Sequence, residues 1–193
     1  FVPIEKLNKL TKNNHQGIVA TISPISTLDI NGLEGKLKNT KSLLILVLDG
    51  ITDTKNFGAI IRSAECFDVD LIIIPKTGSS PINGETIKSS SGAIFNVPIC
   101  KVNHIKDAIF LLKENEINLI GTSDKGFSSL YEHKFNSRTA IIIGSEGQGV
   151  NKSVLKLCDQ VVNIVMQGKI SSLNVSVATC LLYTSDAADD RYR

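Results

Sequence analysis

The chain has 193 residues, of which 42% are hydrophobic and 21% charged, and its formal net charge is +2. This composition is typical of one globular domain with a real core, and it excludes a largely disordered chain. Strong nucleic-acid binders usually carry a much larger positive charge. Composition alone therefore does not indicate RNA binding.

The sequence contains no run of about 18 apolar residues, and its opening, FVPIEKLNKLTKNN, lacks the apolar core of a secretory signal. Neither a membrane span nor export is indicated, and we expect a cytoplasmic protein. Four cysteines stand singly, without a C-x-x-C pair or a Cys/His cluster. This argues against a disulfide framework and a zinc site and favours reduced core thiols. They are Cys66, Cys100, Cys158 and Cys180.

Residues 1–42 have little apolar periodicity and several prolines and glycines, so they are predicted to form an interdomain linker and a lead-in to the first strand. Six lysines make this stretch mildly basic, which solvation of a linker explains more simply than RNA binding. The chain begins at Phe1 and its one methionine is Met166, so we expect further sequence upstream.

From residue 43 onward, short apolar runs alternate with stretches of helical periodicity. Runs that are apolar on both faces belong to a parallel sheet covered by helices. The fold class is therefore predicted to be α/β, with a mostly parallel sheet and helices on both faces. The predicted strands are 43–49, 71–75, 97–102, 118–123, 140–144 and 160–165.

Two of the intervening segments are predicted to be amphipathic helices. Apolar residues of 57–64 and of 105–112 recur at i, i+3, i+4 and i+7, so each helix lays one apolar stripe on the sheet. The stretch VNKSVLKL at 150–157 also has a helical pattern, and a terminal helix is expected to start within 171–178.

The end of the chain has a different composition. After Ala178 the sequence turns abruptly polar and acidic, where a terminal helix should continue its apolar stripe. The segment LLYTSDAADD resembles translated adapter or vector sequence, so residues 180–193 are expected to be a foreign tail. The predicted functional domain is residues 43–179.

Three polar loops lie beside the carboxyl ends of predicted strands, where open α/β sheets bind their ligands. The first, 49–56, leads into the helix that carries Arg62, with Asp53 or Thr54 as its N-cap and Asn56 in the first turn. Arg62 lies about 9 Å further along the helix axis and about 120° round it, so only a long side chain brings the two together. A structural role explains the pattern too, with Asn56 bonding a loop carbonyl and Arg62 an exposed ion pair.

The second loop, GSEGQGV at 144–150, is glycine-rich but has no Lys-Ser/Thr pair, so it is not a Walker phosphate loop. It lacks the G-x-G-x-x-G register and lies late in the chain, which argues against a dinucleotide-binding dehydrogenase. A strand-to-helix turn accounts for its glycines, but a turn has no need of Glu146.

The third stretch, SSLNVSVA at 171–178, places polar side chains inside an apolar run. A buried helix start has little use for Ser172, Asn174 and Ser176 unless their hydroxyl and amide groups hold something specific. The pattern therefore indicates a site.

Other ionisable residues give weaker signals. The three histidines, His15, His104 and His133, lie apart from these loops, so a catalytic histidine is not expected. Asp49 and Asp53 form a conceivable metal pair, but the local sequence supplies no third ligand, so no metal is expected.

In this order and spacing, the three stretches together resemble the motifs of the SpoU or TrmH family of the SPOUT class, which are RNA 2′-O-ribose methyltransferases. The motifs are DGITDTKNFGAIIRSAE at 49–65, IIIGSEGQGV at 141–150 and MQGKISSLNVSVA at 166–178. The combination is specific where each piece alone is not. The resemblance covers about residues 5–179, although Thr54 stands where many relatives have proline at the first helical position.

The resemblance implies a C-terminal trefoil knot, one of the rare exceptions to unthreaded topology, with S-adenosyl-L-methionine bound in it. It implies a catalytic set completed across a homodimer interface: Asn56, Arg62, Glu146, Ser172 and Asn174. The cofactor would be held mostly by backbone groups and apolar contacts of Thr122, Gly144, Ile164, Met166 and Leu173.

The lead-in HQGIVA at 15–20 resembles the branch of the family that methylates a guanosine ribose in 23S rRNA and carries a small N-terminal RNA-binding domain. The resemblance therefore implies a 23S rRNA methyltransferase. Two alternatives stay open: a tRNA guanosine 2′-O-methyltransferase, and a catalytically silent RNA-binding knot domain. A generic nucleotide-binding α/β domain would need a phosphate loop after the first strand, and DGITDTKNFG does not provide one.

Overall fold

A single sheet organises the molecule. The computed structural model describes residues 1–12, 14–38, 40–126, 128–168 and 172–184. Its strands are β1 (Leu43–Asp49), β2 (Leu71–Pro75), β3 (Ile99–Val102), β4 (Asn118–Thr122), β5 (Ser128–Ser129), β6 (Arg138–Gly144) and β7 (Gln160–Asn163). Their order across the sheet is β3-β2-β1-β6-β4-β7-β5, and every pair is parallel.

Helices cover the two faces of this sheet. They are α1 (Ile4–Leu10), α2 (Ile30–Leu37), α3 (Thr54–Cys66), α4 (Gly84–Ser89), α5 (Ile105–Glu114), α6 (Lys152–Leu155) and α7 (Val175–Thr184). Because side chains alternate along a strand, Leu44, Leu46 and Leu48 of β1 pack with the core that includes α3 and α7. Leu43, Ile45 and Val47 pack with the core that includes α2 and α5. The predicted α/β class and covered parallel sheet are confirmed.

The predicted strands agree with the structure, with small differences at their ends. The first two match to the residue, whereas β3 begins at Ile99 and β7 ends at Asn163. The short β5 was not predicted. It pairs with β7 far along the chain, a contact that no local pattern reveals.

The lead-in contains a helix that the sequence did not predict. Asp29 caps α2 by accepting a hydrogen bond from the Gly32 N–H at 2.9 Å, and Leu33 and Leu37 are almost fully buried. Just before it, Leu28 forms backbone hydrogen bonds to β3. This part of the predicted linker is therefore packed on the sheet, and the domain boundary at residue 42 stays a prediction.

Arg138 joins α2 to the rest of the sheet. Its guanidinium donates hydrogen bonds to the carbonyls of Leu37 (3.2 Å), Thr40 and Asn115 (3.1 Å), at the amino end of β6. Hydrogen bonds from a charged donor stabilise a fold by about 1.5–3 kcal/mol each. Because an ammonium cannot span these three carbonyls, Arg138→Lys should lower the free energy of unfolding by about 2 kcal/mol in urea titrations. An unchanged urea midpoint would contradict this assignment.

The terminal helix extends further than the composition suggested. Helix α7 continues to Thr184, and Leu182 is only 1% exposed within the α3 face of the core. The foreign origin of residues 180–193 stays a prediction, and 185–193 lie outside the described residues. No helix in the described part of the chain is long and apolar enough to span a bilayer.

The four cysteines are free thiols in different environments. Burial raises the pKa of Cys100 and of Cys158 to about 11, so both are protonated near neutral pH. Cys180 is half-buried and Cys66 is exposed, so the expectation of core thiols fails for Cys66. Its position on the solvent side of α3 is the reason.

His133 is a buried histidine. It is 8% exposed, packs edge-on against Phe135 with ring centroids 4.7 Å apart, and its Nε2 has no hydrogen-bond partner among the described residues. Desolvation lowers the pKa of His133 below its usual 6.5, so the folded state holds the ring neutral.

This burial predicts acid sensitivity. As pH falls below 6.5, the unfolded chain binds a proton that the folded state resists, so stability is lost through the folded-state pKa. Urea unfolding measured from about pH 7.5 to about pH 5.5 should show a smaller loss in His133→Phe than in the wild type. Identical pH dependence in the two proteins would refute the assignment.

Candidate active site

The predicted site loops leave the sheet side by side. The last residue of β1, Asp49, pairs in register with the last residue of β6, Gly144. The loops after these two strands therefore start next to each other at the carboxyl edge. The strands that follow β1 in the chain, β2 and β3, lie on one side of it, and the later strands lie on the other side, beginning with β6. The boundary between β1 and β6 is therefore the topological switch point, where open α/β sheets form a binding crevice.

The first loop orients Asn56. Asp53 is the N-cap of α3, because its carboxylate accepts a hydrogen bond from the Asn56 N–H at 2.7 Å. This resolves the choice between Asp53 and Thr54 as the cap. Asn56 therefore lies in the first turn, half-buried, with its carboxamide directed towards the second loop.

The second loop is a tight reversal that presents Glu146. The Gly149 N–H donates to the Ser145 carbonyl at 2.9 Å, and Gly147 and Gly149 have φ of +86° and +68°, which glycine adopts without strain. The loop closes so tightly that a Cβ on Gly144 would lie 1.9 Å from the carbonyl carbon of Gly149. The glycines are thus required by the backbone, and Glu146 is the acidic side chain that the reversal exposes.

The third stretch begins α7 with Asn174. Its Oδ1 accepts hydrogen bonds from the Ser176 N–H at 2.9 Å and the Ser176 hydroxyl at 2.5 Å, so Asn174 is an N-cap. Its Nδ2 donates to Asn56 Oδ1 at 3.0 Å and to Glu146 Oε1 at 2.9 Å. Asn174 and Ser176 therefore have specific hydrogen-bond partners, and the functional role of the stretch stays a prediction.

Three of the five predicted catalytic residues form one hydrogen-bonded triangle. Glu146 Oε1 accepts from Asn56 Nδ2 at 3.1 Å, from Asn174 Nδ2 and, more weakly, from the Val175 N–H at 3.4 Å. Residues from three separate motifs meet at one carboxylate oxygen. The triangle fixes α7 against α3 and both against the second loop.

The other two predicted catalytic residues do not join the triangle. Arg62 is exposed and makes no hydrogen bond or ion pair with any residue the structure describes. Among the residues that the structure describes, the exposed ion pair considered as a structural role for Arg62 is not present. Ser172 is exposed as well. Within the described ranges neither side chain has a hydrogen-bond partner, and both are exposed to solvent.

Helices α3 and α7 lie side by side and run in the same direction. At their starts, Asn56 contacts Asn174, and about two turns further on the Ser63 hydroxyl lies 3.0 Å from the Cys180 sulfur. Both N-termini therefore lie at the same point of the carboxyl edge. The packing explains why polar residues occur in the first turn of each helix.

The predicted cofactor residues line the same edge. Thr122, Gly144 and Ile164 are at or just beyond the carboxyl ends of the adjacent strands β4, β6 and β7. The Thr122 hydroxyl donates to the Ile142 carbonyl at 2.9 Å, and Ile164 packs on the α3 face of the core. Met166 and Leu173 are half-buried in the segment that leads to α7. Within that segment, residues 169–171 lie outside the described residues.

Sequence reasoning missed the role of Asp49, whereas the N-cap role of Asp53 was one of its two alternatives. Each accepts a backbone N–H: Asp49 that of Asn151 at 2.8 Å, and Asp53 that of Asn56. Across the described ranges, no group of three His, Cys, Asp or Glu side chains could hold a metal ion. The available signal was an acidic residue ending an otherwise fully apolar strand.

Comparison with known proteins gives a consistent assignment. The model of the SpoU rRNA Methylase family matches residues 43–184. The 23S rRNA (guanosine-2′-O-)-methyltransferase RlmB of Yersinia pestis is 38% identical over 165 residues, which cover 86% of this chain and 67% of that protein. The protein of the same name from Escherichia coli K12 is 36% identical over 165 residues, covering 86% and 68%.

Among solved structures, the chain is similar to the SpoU methyltransferase AviRb from Streptomyces viridochromogenes in complex with AdoMet. The TM-score is 0.76 at 25% identity, and the match covers 86% of this chain and 66% of that one. The chain thus spans about two thirds of the length of these relatives.

Proposed function

The chain belongs to the SpoU rRNA Methylase family, and we propose that it transfers a methyl group from S-adenosyl-L-methionine to the 2′-hydroxyl of a guanosine ribose in 23S rRNA. The relatives named for this reaction match most of the chain at 36–38% identity. The observation that carries the proposal is the triangle in which Asn56 and Asn174 both donate to Glu146 Oε1 and Asn174 also donates to Asn56. We expect the protein to act in the cytoplasm, where its RNA substrate is made.

The carboxyl edge fits S-adenosyl-L-methionine. Gly144 has no space for a side chain because the backbone of Gly149 and Val150 lies against it, so the second loop folds back directly at the end of β6. We assign the cofactor to Thr122, Gly144, Ile164, Met166 and Leu173, which offer backbone groups and apolar surface. The AdoMet complex of the similar AviRb supports S-adenosyl-L-methionine as the cofactor.

The cofactor supplies an electrophilic methyl group on a sulfonium. The chain must place the ribose hydroxyl in line with it, and positioning of this kind is worth about 7–11 kcal/mol in favourable systems. Ser172 orients the hydroxyl, and the triangle of Asn56, Glu146 and Asn174 fixes the walls of the site. Arg62 clamps the neighbouring phosphate and stabilises the negative charge that develops on the 2′-oxygen, whose proton passes to water as the oxygen takes the methyl group. A guanidinium stays protonated in proteins, so Arg62 is not the general base.

We further propose the trefoil knot and the homodimer typical of the family. In support of the knot, the backbone of Gly126 lies directly on β7, since a Cβ there would be 2.6 Å from the carbonyl carbon of Val162. The Asn163 amide also donates to the Gly126 carbonyl at 3.1 Å. In support of the dimer, Val177 of α7 is 49% exposed close to the site. Light scattering should give the mass of two chains.

Methyl transfer to defined RNAs tests the proposed function. Labelled S-adenosyl-L-methionine is incubated with unmodified 23S rRNA or unmodified tRNA, and the labelled nucleotide is mapped. We expect label in 23S rRNA, lost when the mapped guanosine is replaced by its 2′-deoxy form. Label in tRNA alone would support the tRNA enzyme, and label in neither RNA would support the silent binding domain.

RNA affinity is a separate property of the chain. With a net charge of +2, we expect weak binding that falls steeply with added salt, because phosphate contacts release counterions. In the proposed dimer, both protomers would contribute to the positively charged groove that contacts the RNA phosphates.

A further inference from the structure

Asp49 holds both ends of the loop that carries Glu146. Its backbone pairs in register with Gly144, where the loop begins. Its carboxylate accepts a hydrogen bond from the Asn151 N–H at 2.8 Å, where the loop ends and α6 begins. One residue therefore fixes the start and the finish of the loop at the same point of the sheet edge.

Between these two fixed ends the loop has little freedom. Ser145 and Gly149 form an antiparallel bridge, and the backbone of Gly149 and Val150 lies against Gly144. A displacement of Asn151 is therefore transmitted along the reversal to Glu146. Glu146 in turn accepts three hydrogen bonds from the starts of α3 and α7.

We infer that Asp49 is a positioning residue for methyl transfer, acting through Glu146 on the placement of Asn56 and Asn174. The inference rests on the proposed function. It assigns Asp49 a role distinct from both a metal ligand and a substrate contact. Because the bond needs only an acceptor at the right distance, an amide can replace the carboxylate, whereas a longer side chain cannot.

Three substitutions test the inference. Asp49→Ala removes the acceptor and should lower kcat by about tenfold to a hundredfold, in line with the cost of displacing catalytic groups by about 1 Å. Asp49→Asn keeps an acceptor in place and should retain most of the activity. Asp49→Glu keeps the charge but moves it by one bond length, about 1.5 Å, and should lower kcat while the KM for RNA changes little.

A double-mutant cycle shows whether Asp49 acts through Glu146. If it does, Asp49→Ala should cost less than about twofold in a Glu146→Ala background, because the residue it positions is already gone. Equal losses in both backgrounds would overturn the inference, as would full activity of Asp49→Glu. If Asp49→Ala fails to fold, the activity of Asp49→Glu still tests whether Asp49 is a positioning residue.

Asp159 provides the matched control. Its carboxylate accepts the Leu119 N–H at 2.8 Å, the same kind of bond at the opposite edge of the sheet. Asp159→Ala should lower the urea midpoint without changing kcat. If Asp159→Ala loses as much kcat as Asp49→Ala does, Asp49 is a general stabilising residue and not a positioning residue. An inactive wild type would refute the proposed function, whereas an active wild type with unaffected Asp49 variants refutes only this inference.

Discussion

Arg62→Lys should lower methyl transfer by about a hundredfold to a thousandfold while the affinity for S-adenosyl-L-methionine stays nearly unchanged. Arg62 makes no hydrogen bond or ion pair with the described part of its own chain, so the substitution removes no such bond there. Lysine keeps the charge but loses the planar fork that binds two phosphate oxygens at once. The loss therefore reports on the transition state, where negative charge develops.

Single-turnover transfer to 23S rRNA and calorimetric binding of the cofactor measure the two effects separately. Arg138→Lys is the matched control, since it makes the same chemical change at a half-buried structural position on the amino edge. That variant should lose stability and keep its rate per folded molecule. Equal activity of Arg62→Lys and wild type would exclude the clamp.

Gly144→Ala should weaken cofactor binding by about a hundredfold, comparable to the cost of displacing a catalytic group by about 1 Å. The added Cβ would lie 1.9 Å from Gly149 C and 2.0 Å from Val150 N, and these are backbone atoms that move only if the loop moves. Overpacking of this kind also costs about 1–3 kcal/mol of stability. The moved loop would carry Glu146 away from Asn56 and Asn174.

Gly35→Ala is the control for this substitution. Gly35 lies in α2 with no atom within 4 Å of the added Cβ, so alanine there should leave binding unchanged and raise stability by about 0.5–1 kcal/mol. Calorimetry and urea unfolding on both variants give the comparison. Unimpaired cofactor binding by Gly144→Ala would show that the backbone above β6 does not form the cofactor site.

The sheet and the site loops were predictable because their signals are local. Strands such as β1 are apolar on both faces, so their bounds follow from the sequence alone. Parallel strands then bring their following loops to one edge, which predicts that Asn56 and Glu146 are neighbours. The resemblance to the family motifs supplies the remaining residues of the predicted catalytic set.

What the sequence did not reveal depends on distant contacts. Helix α2 contains two glycines and an asparagine, poor helix formers, and is stabilised by its Asp29 cap and by burial of Leu33 and Leu37. Asp49 finds its partner 102 residues away at Asn151, and no spacing rule connects the two. Such hydrogen bonds form only when the folded sheet has brought the donor and acceptor residues together.

The parallel packing of α3 and α7 has an electrostatic consequence. Each helix carries a partial positive charge at its N-terminus from its aligned peptide dipoles. The two ends meet beside Glu146 and offset part of its negative charge. The carboxylate that joins the three motifs therefore repels a nearby RNA phosphate only weakly. A chain of almost neutral overall charge can in this way keep an acidic residue at the centre of the proposed RNA site.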